Sequence, residues 1–213
     1  MNAVDDAQTG IDRASDRHFP AKPARVLVAD DEHLVATDLA FTLGELGYTV
    51  VGPVTDGEAA VQLARRAKPD LALLDIRMPK RDGLSAAAEL FEDMAIPVII
   101  LSAYSDTKSV EAAAGAGVFG YLVKPAAEEQ LRVCIEVAWS RFLHLASQRL
   151  ESGKLRQRLD ERKAIEQAKW LLVSKRNMPE PDAMKLLHKK ARDSRQTLLS
   201  VAEAVIRGEE IGG

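Results

Sequence analysis

Short apolar runs alternate with segments of helical spacing along the first two thirds of the chain. The apolar runs predict five β-strands, at Arg25–Ala29, Tyr48–Val51, Leu71–Leu74, Val98–Leu101 and Gly120–Val123. The segments that follow repeat apolar residues every three or four positions, which predicts helices at Leu34–Leu46, Glu58–Ala67, Leu84–Phe91, Thr107–Ala114 and Glu128–Leu145. This order predicts an α/β fold, a doubly wound (βα)5 unit whose five-stranded parallel sheet lies between two layers of helices.

The pattern changes at both ends of this unit. Residues 1–22 are polar and aperiodic, which predicts a flexible N-terminal arm. At the other end, an apolar stripe runs from Ala138 to Leu159 and is interrupted by Gly153. The stripe favours two structures equally. One is a linking helix at residues 144–151 that could form a short coiled coil, and the other is an amphipathic helix packed on its own domain.

Residues 152–208 show helical spacing only, which predicts a small all-α domain followed by a tail at residues 209–213. Three helices are expected, at Leu159–Val173, Asp182–Arg192 and Thr197–Arg207. Proline cannot continue a helix interior, so Pro179 and Pro181 separate the first two helices. Gly208 suits the end of the third.

Charge is distributed unevenly between the two predicted domains. The net charge of −3 combines +7 over Arg149–Arg207, from 15 basic and 8 acidic residues, with −10 elsewhere, from 14 basic and 24 acidic residues. A basic C-terminal domain favours a polyanionic partner, although a solvated helix surface explains the charge equally well. No apolar run reaches the roughly 18 residues that span a membrane, and the pattern of a secretory signal is absent. The single cysteine, Cys134, is expected in the core and fits a reducing cytoplasm.

Polar side chains follow four of the predicted strands. In strand order, they are Asp30 and Asp31, then Asp75, then Ser102, and finally Lys124 with Pro125. Ligands of open parallel sheets bind beyond the carboxyl ends of the strands, so these side chains are expected to share one rim. The alternative is a solvated acidic rim without a function.

Three carboxylates on one rim repel each other, and a hard divalent cation offsets that repulsion. Mg²⁺ takes oxygen ligands and keeps several waters, so Asp30, Asp31 and Asp75 suit it when a phosphate is also present. A carboxylate beside such a cation can attack a phosphoryl group and form an aspartyl phosphate. Lys124 would then supply positive charge, and Ser102 a hydroxyl donor, to the phosphate oxygens.

Four motifs on this rim resemble those of the receiver domain of two-component response regulators. They are Asp30-Asp31-Glu32 after an apolar run, Asp75-Ile76-Arg77-Met78-Pro79 with Gly83 eight residues after the aspartate, Ser102-Ala103, and Tyr121 three residues before Lys124-Pro125. The resemblance covers residues 23–143 and implies a flavodoxin-like fold.

The receiver resemblance also implies a role for each rim residue. Asp75 would be the phosphoacceptor, phosphorylated by a sensor histidine kinase. Lys124, in a cis peptide bond to Pro125, would pair with the phosphate, while Ser102 would move towards it and Tyr121 would change rotamer. A static core position is the alternative for Tyr121. The implied Mg²⁺ ligands are Asp30, Asp31, Asp75 and the backbone carbonyl of Arg77.

The C-terminal domain carries basic residues at helical spacing, which can share a face and meet phosphates. The candidate nucleic-acid contacts are Arg162, Lys163, Lys169, Lys190, Arg192 and Arg195. Trp170 could stack on an unpaired base, or it could lie in the core with Ile165 and Leu171.

The predicted C-terminal helices resemble the ANTAR domain, an RNA-binding antitermination module often attached to a receiver. The resemblance covers residues 152–207 and rests on Arg162–Lys169, Leu171-Leu172, Pro181–Leu187, Lys190–Ser194 and Leu199–Ile206. Trp170 departs from it, because family members often carry glycine there. The resemblance implies binding to RNA stem-loops in nascent messages so that a terminator hairpin cannot form. Two bound loops would imply a homodimer formed on phosphorylation.

The sequence therefore predicts a regulator of gene expression rather than an enzyme, since no second cluster of catalytic residues follows the rim. Two other outputs stay open: a helical domain that binds a protein partner, and a domain that binds DNA. The +7 charge argues mildly against the first, and the absence of a clear turn-helix pattern argues against the second.

Overall fold

The computed structural model describes residues 19–103 and 117–209, and the chain divides into two compact units between Leu150 and Glu151. The strands are β1 (Arg25–Ala29), β2 (Thr49–Val54), β3 (Leu71–Asp75), β4 (Val98–Ser102) and β5 (Val118–Val123). The described helices are α1 (His33–Glu45), α2 (Gly57–Ala67), α3 (Gly83–Met94), α4 (Glu128–Arg176), α5 (Glu180–Ser194) and α6 (Leu198–Ile206).

The five strands form one parallel sheet in the order β2-β1-β3-β4-β5. Successive side chains of a strand point to opposite faces, so each face has its own core. Leu27 and Ile100 pack with α2 and α3 on one face, while Val28 and Ile99 pack with α1 and α4 on the other. This order and layering confirm the predicted doubly wound, flavodoxin-like fold.

Strand β2 is longer than the sequence predicted. It continues through Gly52 and Pro53, which are joined by a cis peptide bond, and Val54 pairs with Ala29 of β1. The predicted end at Val51 was wrong because β2 is an edge strand. At an edge, proline is tolerated where its missing N–H would face away from the neighbouring strand.

Several predictions fall partly or wholly outside the described residues: the helix at Thr107–Ala114, residues 1–18 of the arm and residues 210–213 of the tail. In the described part of the arm, the Phe19 ring centroid is 4.9 Å from that of Phe142 in α4. The indole Nε1–H of Trp139 also donates to the carbonyl of Pro20 at 3.2 Å. The predicted flexibility is therefore wrong for Phe19 and Pro20, which packing holds in place.

Helix α4 passes through Gly153 without a break. Gly153 thus interrupts the apolar stripe but not the helix, because one glycine in a helix costs only about 1 kcal/mol relative to alanine. Residues 144–151, predicted as a linking helix, are helical and form part of α4. In the second unit, α4 packs with α5 and α6 around a core of Ala168, Leu172, Ala183, Leu187, Val201, Ala202 and Val205.

The first residues of α5 and α6 have side chains that suit the start of a helix. Pro181 lies in the first turn of α5, and Thr197 caps α6 because its hydroxyl oxygen accepts from the N–H of Ser200 at 3.1 Å.

Cys134 lies in α4 and is half-buried against the core that the sheet forms with α1 and α4. This burial raises the pKa of its thiol. No described helix combines the length and the apolar composition that crossing a bilayer requires.

Candidate functional site

Lys124 lies at the centre of the candidate site, beyond the carboxyl ends of the strands. Its Nζ atom is 2.5 Å from Asp30 Oδ2 and 2.7 Å from Asp75 Oδ1. Asp30 is fully buried, Asp75 is 7% exposed, and the Lys124 side chain is 10% exposed. The structure therefore brings three of the predicted residues together as one buried charge cluster.

Backbone hydrogen bonds orient both carboxylates of this cluster. The N–H of Arg77 donates to Asp75 Oδ2 at 2.7 Å, and the N–H of Glu32 donates to Asp30 Oδ1 at 3.0 Å. Each carboxylate thus has one oxygen held by the backbone of its own loop. The other oxygen of each faces the lysine.

The Lys124 ammonium is positioned by the backbone and by charge. The Lys124 N–H donates to the carbonyl of Ser102 at 2.8 Å, and the peptide bond to Pro125 is cis, as the receiver resemblance implied. Burial by itself lowers the pKa of Lys124. The carboxylates of Asp30 and Asp75 outweigh burial and hold this pKa above its ordinary value of 10.5. The lysine therefore stays charged at neutral pH.

The ion pairs leave unused bonding capacity inside the cluster. Among the described residues, Asp30 Oδ2 and Lys124 Nζ are buried side-chain atoms with no partner in hydrogen-bond geometry, despite their close approach. A buried polar atom without a hydrogen bond is destabilising. Such an ammonium favours an anionic oxygen, and such a carboxylate oxygen favours a cation. The cluster is thus suited to a phosphoryl group and a hard divalent cation.

Asp31 departs from the predicted arrangement. Its side chain is exposed, and no three acidic, His or Cys side chains are grouped closely enough to share a metal within residues 19–103 and 117–209. Repulsion between like charges explains why two carboxylates converge on one ammonium while the third stays in solvent. Two carboxylates still fit Mg²⁺, which proteins commonly bind through one or two carboxylates, waters and phosphate oxygens.

Gly83 fixes the end of the loop that follows Asp75. Its N–H donates to the carbonyl of Ile76 at 2.9 Å. A Cβ atom at this position would lie 1.9 Å from the backbone oxygen of Asp75, so a larger residue would displace the end of β3. The glycine noted in the sequence motif therefore permits a close approach of two backbone segments.

Lys80 fastens the same loop to the start of α2. Its Nζ donates to Asp56 Oδ2 at 2.7 Å, and Asp56, which is 4% exposed, also caps α2 by accepting from the N–H of Ala59 at 2.8 Å. The hydrogen bond from Lys80 is the largest cause that holds the pKa of Asp56 below its ordinary value. Sequence reasoning missed this pair. An aspartate directly before a helical segment is a signal that could have indicated the cap, but no sequence pattern indicates a lysine 24 residues away.

The remaining predicted rim residues differ in exposure. Ser102, at the end of β4, is 9% exposed, and Tyr121 is half-buried in β5 opposite Ile100 of β4. The side chains of Arg77 and Pro125 are exposed. The movement of Ser102 and the rotamer change of Tyr121 stay predictions.

The basic residues predicted to contact RNA differ in their exposure to solvent. Arg162, Lys163, Arg192 and Arg195 are exposed, and Lys190 is half-buried.

Lys169, in contrast, is buried, since it is only 8% exposed. Its Nζ lies 2.6 Å from both Glu166 Oε2 and Glu180 Oε1, and these carboxylates raise its pKa. Lys169 thus ties α4 to the start of α5 and, contrary to the prediction, does not present its charge to a ligand.

Trp170 is 60% exposed, which contradicts the alternative that it lies in the core. Ala168 and Leu172 occupy the core positions of this part of α4. Each is two residues from Trp170, which is about 200° around a helix. The tryptophan therefore points to the opposite side of α4.

Comparison with known proteins assigns a family to each unit. Residues 26–136 match the response regulator receiver domain, and residues 153–206 match the ANTAR domain. The transcriptional regulatory protein PdtaR of Mycobacterium tuberculosis H37Rv is 45% identical over 186 residues, which cover 87% of this chain and 91% of that protein. The positive alginate biosynthesis regulatory protein of Pseudomonas aeruginosa is 44% identical over 115 residues, which cover 53% of this chain and 46% of that protein.

Solved structures resemble the first unit. The receiver domain of a modulated diguanylate cyclase from Desulfovibrio desulfuricans G20 has a TM-score of 0.53 and 36% identity, covering 57% of this chain and 96% of that chain. A response regulator from Chloroflexus aurantiacus J-10-fl has a TM-score of 0.52 and 28% identity, covering 56% of this chain and 99% of that chain. The chain therefore belongs to the family of two-component response regulators in which a receiver domain precedes an ANTAR domain, the RNA-binding antiterminator output.

Proposed function

We propose that Asp75 accepts a phosphoryl group from a sensor histidine kinase and that this modification controls RNA binding by the ANTAR unit. The observation that carries this proposal is the buried Lys124 ammonium, 2.7 Å from Asp75 and 2.5 Å from Asp30. Phosphoryl transfer to a carboxylate needs a positioned oxygen nucleophile and fixed positive charge beside it. This cluster supplies both.

In the proposed reaction, a carboxylate oxygen of Asp75 forms the new O–P bond while the P–N bond to the kinase histidine breaks. Lys124 offsets the negative charge of the phosphoryl oxygens, and the Ser102 hydroxyl donates to one of them. Tyr121 then changes rotamer. The phosphate adds about −1.5 to −2 charges at neutral pH, which is enough to bias two conformations that differ by a few kcal/mol.

Receiver domains generally use Mg²⁺ for phosphorylation. The buried Asp30 Oδ2 atom faces the Lys124 ammonium but has no partner in hydrogen-bond geometry among the described residues, which supports a cation at this site, and Asp31 would turn inward from solvent to join it. When bound, the ion supplies positive charge to the phosphoryl oxygens. The proposed ligands are Asp30, Asp31, Asp75 and the backbone carbonyl of Arg77.

Incubation with acetyl phosphate and Mg²⁺, followed by intact-protein mass spectrometry, tests the phosphorylation step. One phosphoryl group is expected on the unmodified chain and none on the Asp75→Asn variant. The matched control is Asp38→Asn, which removes an exposed carboxylate of α1 and should leave labelling unchanged. Undiminished labelling of Asp75→Asn would rule out Asp75 as the acceptor.

For the output, we propose that phosphorylation promotes binding to RNA stem-loops, prevents formation of a terminator hairpin and favours a homodimer. The exposed positive charge of the second unit supports this, because phosphate contacts dominate nucleic-acid affinity. We infer a cytoplasmic location, since the proposed partners are a kinase and nascent RNA, and its own phosphorylation is the one reaction proposed for the protein. The proposed RNA contacts are Arg162, Lys163, Lys190, Arg192 and Arg195, all exposed or half-buried.

Filter binding of RNA hairpins over a series of salt concentrations tests the output. Phosphorylated protein should bind more tightly than unphosphorylated protein, and affinity should fall steeply with salt as counterions are released. The Asp75→Asn variant should bind with the same affinity whether or not acetyl phosphate is present. Binding that ignores both salt and phosphorylation would contradict the proposal and favour a protein-interaction output.

A further inference from the structure

The loop between β3 and α3, residues 76–82, carries two backbone groups of the proposed phosphorylation site. The N–H of Arg77 donates to Asp75 Oδ2 at 2.7 Å, and the carbonyl of Arg77 is a proposed ligand of the divalent cation. The path of this loop therefore fixes the orientation of the Asp75 carboxylate and the location of one cation ligand. Contacts that hold the loop in place control both.

Lys80, which follows Arg77 in this loop, has a backbone conformation that is unfavourable for lysine. Its φ angle is +61°, in the left-handed region where the Cβ atom crowds the following carbonyl oxygen. A residue with a side chain keeps such a conformation only where the surrounding structure holds it, and such residues are concentrated at functional sites. Contacts outside the loop must therefore offset the strain at Lys80.

Two contacts fasten this part of the loop to the start of α2. Lys80 Nζ donates to Asp56 Oδ2 at 2.7 Å, and the N–H of Gly57 donates to the carbonyl of Arg81 at 3.2 Å. A Cβ atom at Gly57 would lie 2.5 Å from that carbonyl oxygen, so glycine permits the close approach. The ion pair, in contrast, can be removed by substitution without introducing a steric clash, which makes it the part of this attachment that is open to a clean test.

The Asp56 carboxylate is a fixed anchor for the Lys80 ammonium. Asp56 is 4% exposed, and its other oxygen accepts from the N–H of Ala59 at 2.8 Å at the start of α2. The next residue of the loop, Arg81, forms an ion pair with Glu89 of α3. The loop is therefore attached to α2 through Lys80 and to α3 through Arg81.

We propose that Lys80 is a positioning residue: through its ion pair with Asp56, it holds the loop so that the Arg77 carbonyl and the Asp75 carboxylate can bind one divalent cation. This deepens the proposed phosphorylation site and rests on it. Groups that orient metal ligands from outside the ligand shell typically change metal affinity or activity about 10- to 100-fold when they are removed. Lys80 is largely exposed and acts through the backbone, so the lower end of that range is expected.

Cation binding to the full chain, without a phosphoryl donor, tests the proposal. The probe is Mn²⁺, which favours the same octahedral oxygen ligands as Mg²⁺, and the electron paramagnetic resonance signal of free Mn²⁺ measures its dissociation constant. Lys80→Met should raise that constant about tenfold, whereas Lys80→Arg retains the positive charge and should stay close to the natural chain. The control is Arg132→Met, which removes ion pairs with Glu129 and Glu136 in α4 and should leave the constant unchanged.

Lys80→Gly separates the ion pair from the backbone strain. Glycine adopts the left-handed conformation readily, so this variant relieves the strain but lacks the ammonium. Its dissociation constant for Mn²⁺ should rise as it does in Lys80→Met. A constant equal to that of the natural chain would show that the ion pair does not position the loop, and it would overturn the proposal.

Labelling by acetyl phosphate at a series of Mg²⁺ concentrations gives a second readout, which a general folding defect would not reproduce. In Lys80→Met, the half-maximal labelling rate should require about ten times more Mg²⁺, while the rate at saturating Mg²⁺ stays close to that of the natural chain. A lower rate at every Mg²⁺ concentration, together with an unchanged dissociation constant for Mn²⁺, would make Lys80 a purely structural residue.

The outcomes for Lys80 are distinguishable from those for the proposed function. If Asp75 is labelled but Lys80→Met binds Mn²⁺ as tightly as the natural chain does, phosphorylation stands and the positioning role is contradicted. If Lys80→Met weakens Mn²⁺ binding but Asp75 is never labelled, the positioning role stands and phosphorylation is contradicted. A natural chain that binds no Mn²⁺ would contradict the positioning role directly.

Discussion

The receiver pocket and the exposed basic residues of the ANTAR unit use charge in opposite ways. In the receiver unit, Asp30, Asp75 and Lys124 are buried and depend on one another for compensation. In the ANTAR unit, Arg192 and Arg195 are exposed to solvent. A buried charge that loses its partner is strongly destabilising, whereas an exposed charge contributes little to folding. The proposed phosphorylation switch would thus rest on a few residues that cannot be replaced, and the proposed RNA-binding surface on many that can.

Lys124→Met should have the largest effect on stability, because it leaves the buried Asp30 and Asp75 carboxylates facing each other without a cation. The free energy of unfolding should fall by about 3–5 kcal/mol, the usual cost of breaking a buried ion pair. Urea denaturation in the presence of EDTA measures it.

The matched control is Lys163→Met, since that side chain is 78% exposed. Its unfolding free energy should change by no more than about 0.5 kcal/mol. Equal losses of unfolding free energy in the two lysine variants would contradict the proposed difference between buried and exposed charges.

The receiver pocket could be predicted from the sequence because topology does most of the positioning. Parallel strands end at one edge, so Asp75 and Lys124 had to meet there once the strands were recognised. Periodicity is less informative on a helix surface. It indicated that Lys169 and Trp170 belong to α4, but it could not show that the lysine is covered by Glu180 and the tryptophan is not. Those outcomes depend on how α5 packs against α4.

Gly83→Ala should have the next largest effect, because the new Cβ would meet the backbone oxygen of Asp75 at 1.9 Å. Displacement of a packed backbone segment should cost about 1–3 kcal/mol, and labelling by acetyl phosphate should slow. Gly153→Ala is the control, since no atom lies within 4 Å of its added Cβ. It should stabilise α4 by about 0.5–1 kcal/mol. If the two substitutions had the same effect, the close approach at Gly83 would have no role.

Asp56→Asn tests an ion pair that is neither fully buried nor fully exposed, because Asp56 is buried while its partner Lys80 is 65% exposed. The pKa of Asp56 is lowered by Lys80, so the carboxylate stabilises the fold fully above its ordinary pKa of 3.8. That stability is lost as pH falls through the lower pKa of the folded protein. The variant should therefore be less stable than the natural chain at neutral pH, and the difference should disappear in acid. Urea denaturation at a series of pH values measures it, and a difference that grew in acid would contradict the assignment.

Arg192→Ala should have the smallest effect on stability, and it tests the exposed charges of the ANTAR unit. The unfolding free energy should change by no more than about 0.5 kcal/mol. If Arg192 contacts one phosphate, the slope of log affinity against log salt should fall by about 0.7–0.9, measured by filter binding of an RNA hairpin. Arg192→Lys keeps the charge and should keep the slope.

Complete loss of RNA binding in Arg192→Ala would mean that recognition is concentrated in single residues, as it is in the receiver pocket. A reduced slope with most of the affinity retained would instead show a surface built from contributions that are nearly independent. That result is expected where each cation is solvated before it binds, because removing one then leaves no buried charge without a partner.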